Sequence, residues 1–250
     1  MEIGILLYVL VGFLAQMIDG ALGMAYGVSS NTFLLSIGIP PAIASASVHV
    51  AETFTTAVSG VSHWRLGNVN RELFRKLILP GILGAVVGAY ILTQIDGNVI
   101  KPYISGYLLI MGVVILVKAI RKQAEPREVK DHVSILGVVG GFFDAIGGGG
   151  WGPIVTTTLV ARGNHPRYTI GSVNLSEFFV TFAQSVVFIF TLSSDLLAHW
   201  QVIVGLLLGG IIAAPIAAVA TKKLPVRLLM ALVGILIIGL SVRTIYLALV

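Results

Sequence analysis

The sequence predicts an all-α polytopic membrane protein made of two inverted-topology repeats, and three observations predict it. Of the 250 residues, 56% are hydrophobic and only 11% charged, with a mean hydropathy of +0.97, whereas about a quarter of a soluble domain is charged. The chain aligns on itself at one fixed shift. Its Lys and Arg residues favour opposite members of equivalent loops. A crossing of the bilayer takes about 20 apolar residues, so the chain has room for at most about ten crossings and for no second, soluble domain.

The self-alignment uses a shift of 125 positions, the separation of Asp19 and Asp144. Without gaps it pairs Gly12 with Gly137, Gly23 with Gly148, Gly27 with Gly152, Gly38 with Gly163, Pro41 with Pro166, Ser47 with Ser172, Glu52 with Glu177, Phe54 with Phe179 and Thr56 with Thr181. Later segments, such as Leu79–Ala89 against Leu208–Ala218, match after small gaps. The predicted organisation is repeat 1 over residues 1–121, a polar linker over 122–132, and repeat 2 over 133–250. Internal repeats of this kind locate the substrate site of a transporter at their interface.

Each repeat reads as two short apolar arms around a glycine-rich break, followed by three longer spans. In repeat 1 the arms are Ile3–Ile18 and Leu22–Ile37 and the spans Pro41–Ser62, Leu77–Ile95 and Pro102–Ile120. In repeat 2 the arms are Val133–Phe143 and Trp151–Ala161 and the spans Tyr168–Leu192, Val202–Thr221 and Arg227–Leu249. The arms are short for full crossings. They are either thin helices or a re-entrant hairpin whose tip is buried in protein.

Loop charge sets the orientation. Loop 63–76 carries Arg65, Arg71, Arg75 and Lys76, while its counterpart 193–200 carries neither Lys nor Arg. Loop 96–101 has only Lys101, while 222–227 has Lys222, Lys223 and Arg227. Loop 38–41 has none, while its counterpart has Arg162 and Arg167. With Lys118, Arg121, Lys122, Arg127 and Lys130 of the linker region also inside, every strongly basic loop shares one face if each half crosses an odd number of times. That makes the repeats inverted, the linker cytoplasmic and both termini external, in a multi-pass membrane protein.

The charge of +5 is scattered over short segments, so no nucleic-acid partner is expected. The absence of cysteine removes disulfides, thiolate catalysis and thiolate metal sites. The N-terminus lacks the basic n-region of a signal peptide and reads as a retained first helix.

Seven of the eleven acidic residues fall in loops or at the terminus. The other four, Asp19, Glu52, Asp144 and Glu177, fall within apolar segments and form two repeat-related pairs. An ionised group at that depth costs about 2.5–3.5 kcal/mol on insertion scales, so it is read as functional. Ser45, His49, Glu52, Thr56 and Ser59 recur at helical spacing as a polar stripe on one face. Asn174, Glu177, Thr181 and Gln184 repeat the stripe in the second half. Such residues are either interhelical hydrogen-bond partners or a site, and the carboxyls favour a site. His49, three residues from Glu52, either packs as a donor or shares a proton with it.

The run Gly147–Gly150, followed by Trp151-Gly152-Pro153, ends a helix and lets another restart with Pro at its first turn. Gly20, Gly23 and Gly27 do this more mildly in the first half. A restarted helix offers free N–H groups and a positive dipole end to an anion, although glycines also serve close packing. Asp19 and Asp144 either cap the restarting arms or touch cargo. Trp151 either stacks on cargo or packs. The candidate substrate-binding residues are Asp19, Gly23, Gly27, Ser45, His49, Thr56, Asp144, Gly148, Gly149, Gly150, Trp151, Asn174 and Thr181. The candidate proton-coupling residues are Glu52, Glu177 and His49.

The motifs GFLAQMIDGALGMAYG and GGFFDAIGGGGWGP, each followed about 20 residues on by SASVHVAETFTT and IGSVNLSEFFVT, resemble the sulfite exporter TauE/SafE family over essentially the whole chain. The resemblance implies a transporter of sulfite, sulfonates or related small sulfur oxyanions. Its signature positions correspond to Asp19, Gly23, Gly27, Asp144, Gly148 to Gly150 and Gly152. The first half lacks the full glycine run, which points to an asymmetric site.

The leading expectation is proton-coupled export of a small anion such as sulfite or an organosulfonate. Two glutamates facing an anion repel it unless protonated, and no intramembrane Lys or Arg compensates, Arg243 lying near the C-terminus. The alternative is a cation transporter, with the four carboxylates as ligands for a metal ion or Na⁺. A passive anion channel is a further alternative. No zinc motif or nucleophile elbow is present, so no enzyme is expected. The expected partners are the anion, protons and the lipid bilayer. No cofactor or bound metal is expected under the anion reading, and a homodimer is left open.

Overall fold

The computed structural model describes residues 4–22, 24–120, 132–220 and 226–249. Gly23, linker residues 122–131 and the basic pair Lys222 and Lys223 lie outside the described residues. The described residues are helical, with no strand among them. Repeat 1 supplies α1 (Ile5–Leu22), α2 (Tyr26–Ser36), α3 (Pro41–Arg65), α4 (Arg71–Gln94) and α5 (Gly97–Ile120). The second half supplies α6 (Val133–Gly147), a π-helical turn (Trp151–Thr156) that runs into α7 (Thr157–Ala161), α8 (Pro166–Ala198), α9 (Trp200–Ala220) and α10 (Val226–Leu249).

Helix ends follow local chemistry. Pro41 begins α3 with its φ preset and no N–H to satisfy. Asn70 caps α4, its Oδ1 accepting from the N–H groups of Glu72 and Leu73 at 3.0 and 3.1 Å, so α4 starts six residues before the predicted Leu77. The span predicted to end at Leu192 continues to Ala198 with a kink at Leu192. Nothing in Ser193–Ala198 breaks a helix, and the stretch without Lys or Arg read as a loop is mostly the last turns of α8.

Four helical stretches are long and apolar enough to cross a bilayer: Arg71–Gln94, Gly97–Ile120, Arg167–Ala198 and Met230–Leu247. Their outer faces carry exposed Leu79, Leu83, Tyr103, Phe182, Phe190, Leu232 and Ile235, the apolar exterior that a lipid environment selects. Close helix contacts run through glycine. A methyl group on Gly12 would strike the Leu206 carbonyl oxygen, and one on Gly137 would approach that of Leu77. Gly141 likewise abuts the carbonyl of Gly81, and Gly209 that of Val9. Small residues that let backbones touch take the place of the hydrophobic drive that lipid does not supply.

The most extensive helix pairs map onto one another when the two halves are exchanged. α1 packs on α9 and α6 on α4, while α3 packs on α8 and α5 on α10. The helix ends gather on two faces. Arg167 Nε donates to Asn68 Oδ1 at 2.6 Å, Asn70 N–H donates to Ser172 Oγ at 2.8 Å, and Ser134 lies at the Lys76 carbonyl. These contacts put the end of α3 and the starts of α4, α6 and α8 on one face. On the other, Gly97 lies against Pro41, Gly205 against Ile5 and Tyr8, and Arg243 donates to the Ser36 carbonyl. α1 and α2 thus have their outer ends on one face and α6 and α7 on the opposite one.

Candidate functional site

The two chain breaks are buried and meet each other. A methyl group on Gly27 would come within 2.7 Å of the Gly149 Cα, and one on Gly149 would strike the Gly27 backbone and the Val28 nitrogen. Gly148 and Gly149 hold φ of +66 and +150, left-handed values that glycine alone adopts without strain. Around this contact lies a small polar cavity of about 10 Å³, room for roughly one water molecule, lined by Ala25, Gly27, Val28, Glu52, Asp144, Gly149, Gly150, Gly152, Pro153 and Glu177. Gly27 and Val28 in one half are the repeat equivalents of Gly152 and Pro153 in the other. Both helix restarts and both repeat-related glutamates therefore share one space.

Each break is capped by its aspartate. The Asp144 carboxylate accepts from the N–H groups of Gly150 and Trp151 at 2.7 and 2.9 Å through Oδ1. Asp19 hydrogen-bonds the backbone of Tyr26, the equivalent of Trp151. The first N–H groups of a helix have no intrahelical acceptor. With Trp151 and Tyr26 capped, the next N–H groups, those of Gly152, Gly27 and Val28, border the cavity at the positive ends of the restarted segments. Pro153 adds no donor but supports the wide turn that follows.

The carboxyls are unequal. Glu52 Oε2 lies 3.1 Å from His49 Nδ1. His49 Nε2 donates to the Asp144 backbone carbonyl at 3.0 Å, an acceptor only, so Nε2 carries a proton. Gln184 of α8 donates through Nε2 to Asp144 Oδ2 at 2.8 Å and contacts His49 Nδ1 at 2.9 Å. A short Nδ1–Glu52 contact then needs one proton between the two groups, on the ring or on the carboxyl. Glu177, 8% exposed, has no described hydrogen-bond donor on its carboxyl. The repeat relation recurs in the side-chain pairs. His49 meets Gln184 in one half, and their equivalents Asn174 and Ser59 meet at 3.3 Å.

The remaining sequence candidates fall into two groups. Gly27, Gly149, Gly150, Asp144, Glu52 and Glu177 line the cavity. Gly148 stands next to it, and Gly23 lies outside the described residues. Ser45, Thr56, Asn174, Thr181 and His49 face partner helices, not the cavity, their polar atoms engaged within the protein. Trp151 is buried, its indole N–H donating to the Val173 carbonyl at 3.1 Å and its ring filling the space over Gly81, so it packs away from the cavity. Its equivalent Tyr26 sits near Gly210 in the same way.

Sequence reasoning missed Asn31 and Tyr107, and missed the partners of Gln184 and Lys118. Gln184 was visible as the end of the polar stripe, but its two partners were not. Asn31 and Tyr107 reach the carbonyls of Gly147 and Gly149; the signal available for them was a single polar residue in an otherwise apolar face. Lys118, assigned to the basic linker region, points its ammonium to Met24 Sδ at 3.5 Å, beside the first break.

The description of the family model that matches residues 8–244 is sulfite exporter TauE/SafE. The chain is also 45% identical over 248 residues, covering 96% of itself and 82% of the relative, to the "Probable membrane transporter protein YtnM" of Bacillus subtilis (strain 168). No solved structure matches it. The chain belongs to the sulfite exporter TauE/SafE family and is a multi-pass membrane transporter.

Proposed function

We propose that this transporter carries a small anion, such as sulfite or an organosulfonate, outward across the cytoplasmic membrane in exchange with or together with protons. The single observation that carries the reading is the cavity in which two helix restarts meet two glutamates. The N–H groups of Gly27, Val28 and Gly152 replace water around an anion. The carboxylates oppose it until protonated. As pH falls through the titration of Glu177 or of the His49–Glu52 pair, the site loses negative charge and anion binding strengthens; as pH rises, the anion is expelled. That sign links cargo to protons.

The two halves, 1–121 and 133–250, are read as inverted repeats joined by a cytoplasmic linker at 122–132. The reading is supported by the exchange symmetry of the packing, by the opposite faces reached by the arms of α1–α2 and α6–α7, and by the loop charges. It makes each pair of arms a re-entrant hairpin with its tip at the cavity and places both termini outside. The cavity is too small for the anion as it stands, so passage requires the halves to rock and open it to one face at a time.

The cation alternative draws on the three carboxylates at the cavity, Glu52, Asp144 and Glu177. Two features weigh against it. Asp144 already accepts three hydrogen bonds, and the helix dipoles present their positive ends. Among the described residues no three acidic or His groups stand where they could hold a metal ion. The deciding experiment is proton movement in proteoliposomes loaded with a pH dye. Sulfite, a small sulfonate, sulfate and a divalent metal salt are added in turn, beside protein-free liposomes. Protein-dependent proton flux with sulfite or the sulfonate supports the proposal, and flux with the metal salt alone replaces it with the cation reading.

A further inference from the structure

The last carbonyls of α6 run short of intrahelical donors; that of Asp144 accepts from the backbone N–H groups of Gly148 and Gly149, and side chains of the first half add donors along the break. His49 Nε2 donates to the carbonyl of Asp144 at 3.0 Å, Ser45 to that of Ala145, Asn31 to that of Gly147, and Tyr107 to that of Gly149 at 3.1 Å. The donors come from α2, α3 and α5. Their repeat equivalents cannot return the contact. These are Asn174, Ile170, Thr156 and Leu236, the last after the four-residue gap that also relates Leu77 to Leu206. Ile170 and Leu236 carry no donor, Asn174 is committed to Ser59 at 3.3 Å, and the buried Thr156 hydroxyl has no partner.

The same side chains occupy the space that Cβ atoms of the second break would need. A methyl group on Gly147 would strike the Tyr107 ring, one on Gly148 the Asn31 amide, and one on Gly150 the Tyr107 hydroxyl. The corresponding first-half residues are Leu22, Gly23, Met24 and Ala25, which keep one glycine out of four. The four-glycine run and the donors thus occur together in one direction only.

We propose that Asn31 and Tyr107 are positioning residues that, with Ser45 and His49, clamp the second break from the first half. Gly147, Gly148 and Gly150 are then the imprint of that clamp, while Gly149 answers to the Gly27 and Val28 backbone. By fixing residues 144–150 the clamp aims the Gly152 N–H into the cavity; its effect on cargo affinity rests on the transporter reading, while the clamp itself does not.

Two measurements on the full chain test it. Hydrogen–deuterium exchange over 144–152 needs no cargo. Tyr107→Phe and Asn31→Ala each raise it about three- to tenfold, the worth of one hydrogen bond, while Thr156→Val leaves it unchanged. In proteoliposomes the same two variants raise the half-saturating concentration of a small sulfonate by a similar factor, with the maximal rate per folded protein retained. A suppressor pair covers poor folding. Gly147→Ala loses folded yield, and Tyr107→Leu, which installs the second-half residue type, restores it. The proposal is overturned if exchange over 144–152 stays unchanged in both clamp variants, if Tyr107→Leu fails to rescue Gly147→Ala, or if exchange rises with no change in half-saturation. Absence of sulfonate transport by the wild-type protein would sink the transporter reading and leave the exchange and suppressor results to judge the clamp.

Discussion

Thr56 of α3 and Thr181 of α8, 125 positions apart in the chain, face each other with their hydroxyl oxygens 3.5 Å apart. In the proposed inverted-repeat arrangement a residue meets its own equivalent only beside the axis that relates the two copies, so this contact is where the halves are expected to pivot. Both hydroxyls also donate back to their own helix, Thr56 to the Glu52 carbonyl and Thr181 to that of Glu177, and the back-bonds carry most of their energy.

Thr56→Val and Thr181→Val are therefore each expected to lower stability by no more than about 1 kcal/mol, with a coupling between them near 0.6 kcal/mol, the scale of interhelical hydrogen bonds in membranes. A double-mutant cycle of unfolding in detergent checks this. A coupling above about 2 kcal/mol would mean that the axis contact carries far more than its length suggests.

Asp144 and Glu177 both line the cavity but are held differently. Asp144→Ala removes the acceptor for the N–H groups of Gly150 and Trp151 and for Gln184, and hydrogen bonds to a charged group are worth about 1.5–3 kcal/mol each. Asp144→Ala is expected to destabilise by about 3 kcal/mol or more, and Glu177→Ala by much less. Thermal melting in one detergent compares them directly, and equal losses would contradict the capping role.

The glycines with positive φ differ in what surrounds them. Gly149→Ala forces a methyl group into the Gly27 and Val28 backbone and is expected to cost more than about 3 kcal/mol. Gly38, at φ +96, faces open space, so Gly38→Ala pays only the conformational term, about 1–2 kcal/mol. Folded yield and melting temperature give the order.

Much of this architecture could be read from the chain. The 125-residue shift found the Asp19–Asp144 and Glu52–Glu177 pairs because charge in an apolar span is costly enough to stand out. The breaks were visible because glycine and proline interrupt a helix wherever they cluster. What Trp151 does was not legible, since cargo stacking and core packing call for the same side chain, and only the Val173 carbonyl and Gly81 decide it. Asn31 and Tyr107 were missed for a related reason: their partners are backbone carbonyls over 40 residues away, which leave no mark at the donor. The end of α8 was misjudged because a short polar stretch, Ser193-Ser194-Asp195, without Gly or Pro resembles a short loop as closely as a helix end.

His49 has no equivalent in the second half, where Asn174 stands. His49→Asn makes the two stripes alike and removes the ring that shares a proton with Glu52. The variant is expected to keep transport but to alter its rise with falling pH, because Glu52 then titrates without the ring that shares its proton. Rates for a sulfonate, which stays an anion where sulfite itself protonates, read this directly. An unchanged pH profile would take His49 out of the coupling.

Proton movement measured with a pH dye inside proteoliposomes, on addition of sulfite or a small sulfonate, bears most directly on the coupling of anion to protons at the two glutamates. The expected result is protein-dependent proton flux that grows as pH falls and is lost or loses its pH dependence in Glu52→Gln and Glu177→Gln. Anion flux without proton movement, or a pH dependence that survives both substitutions, would contradict it.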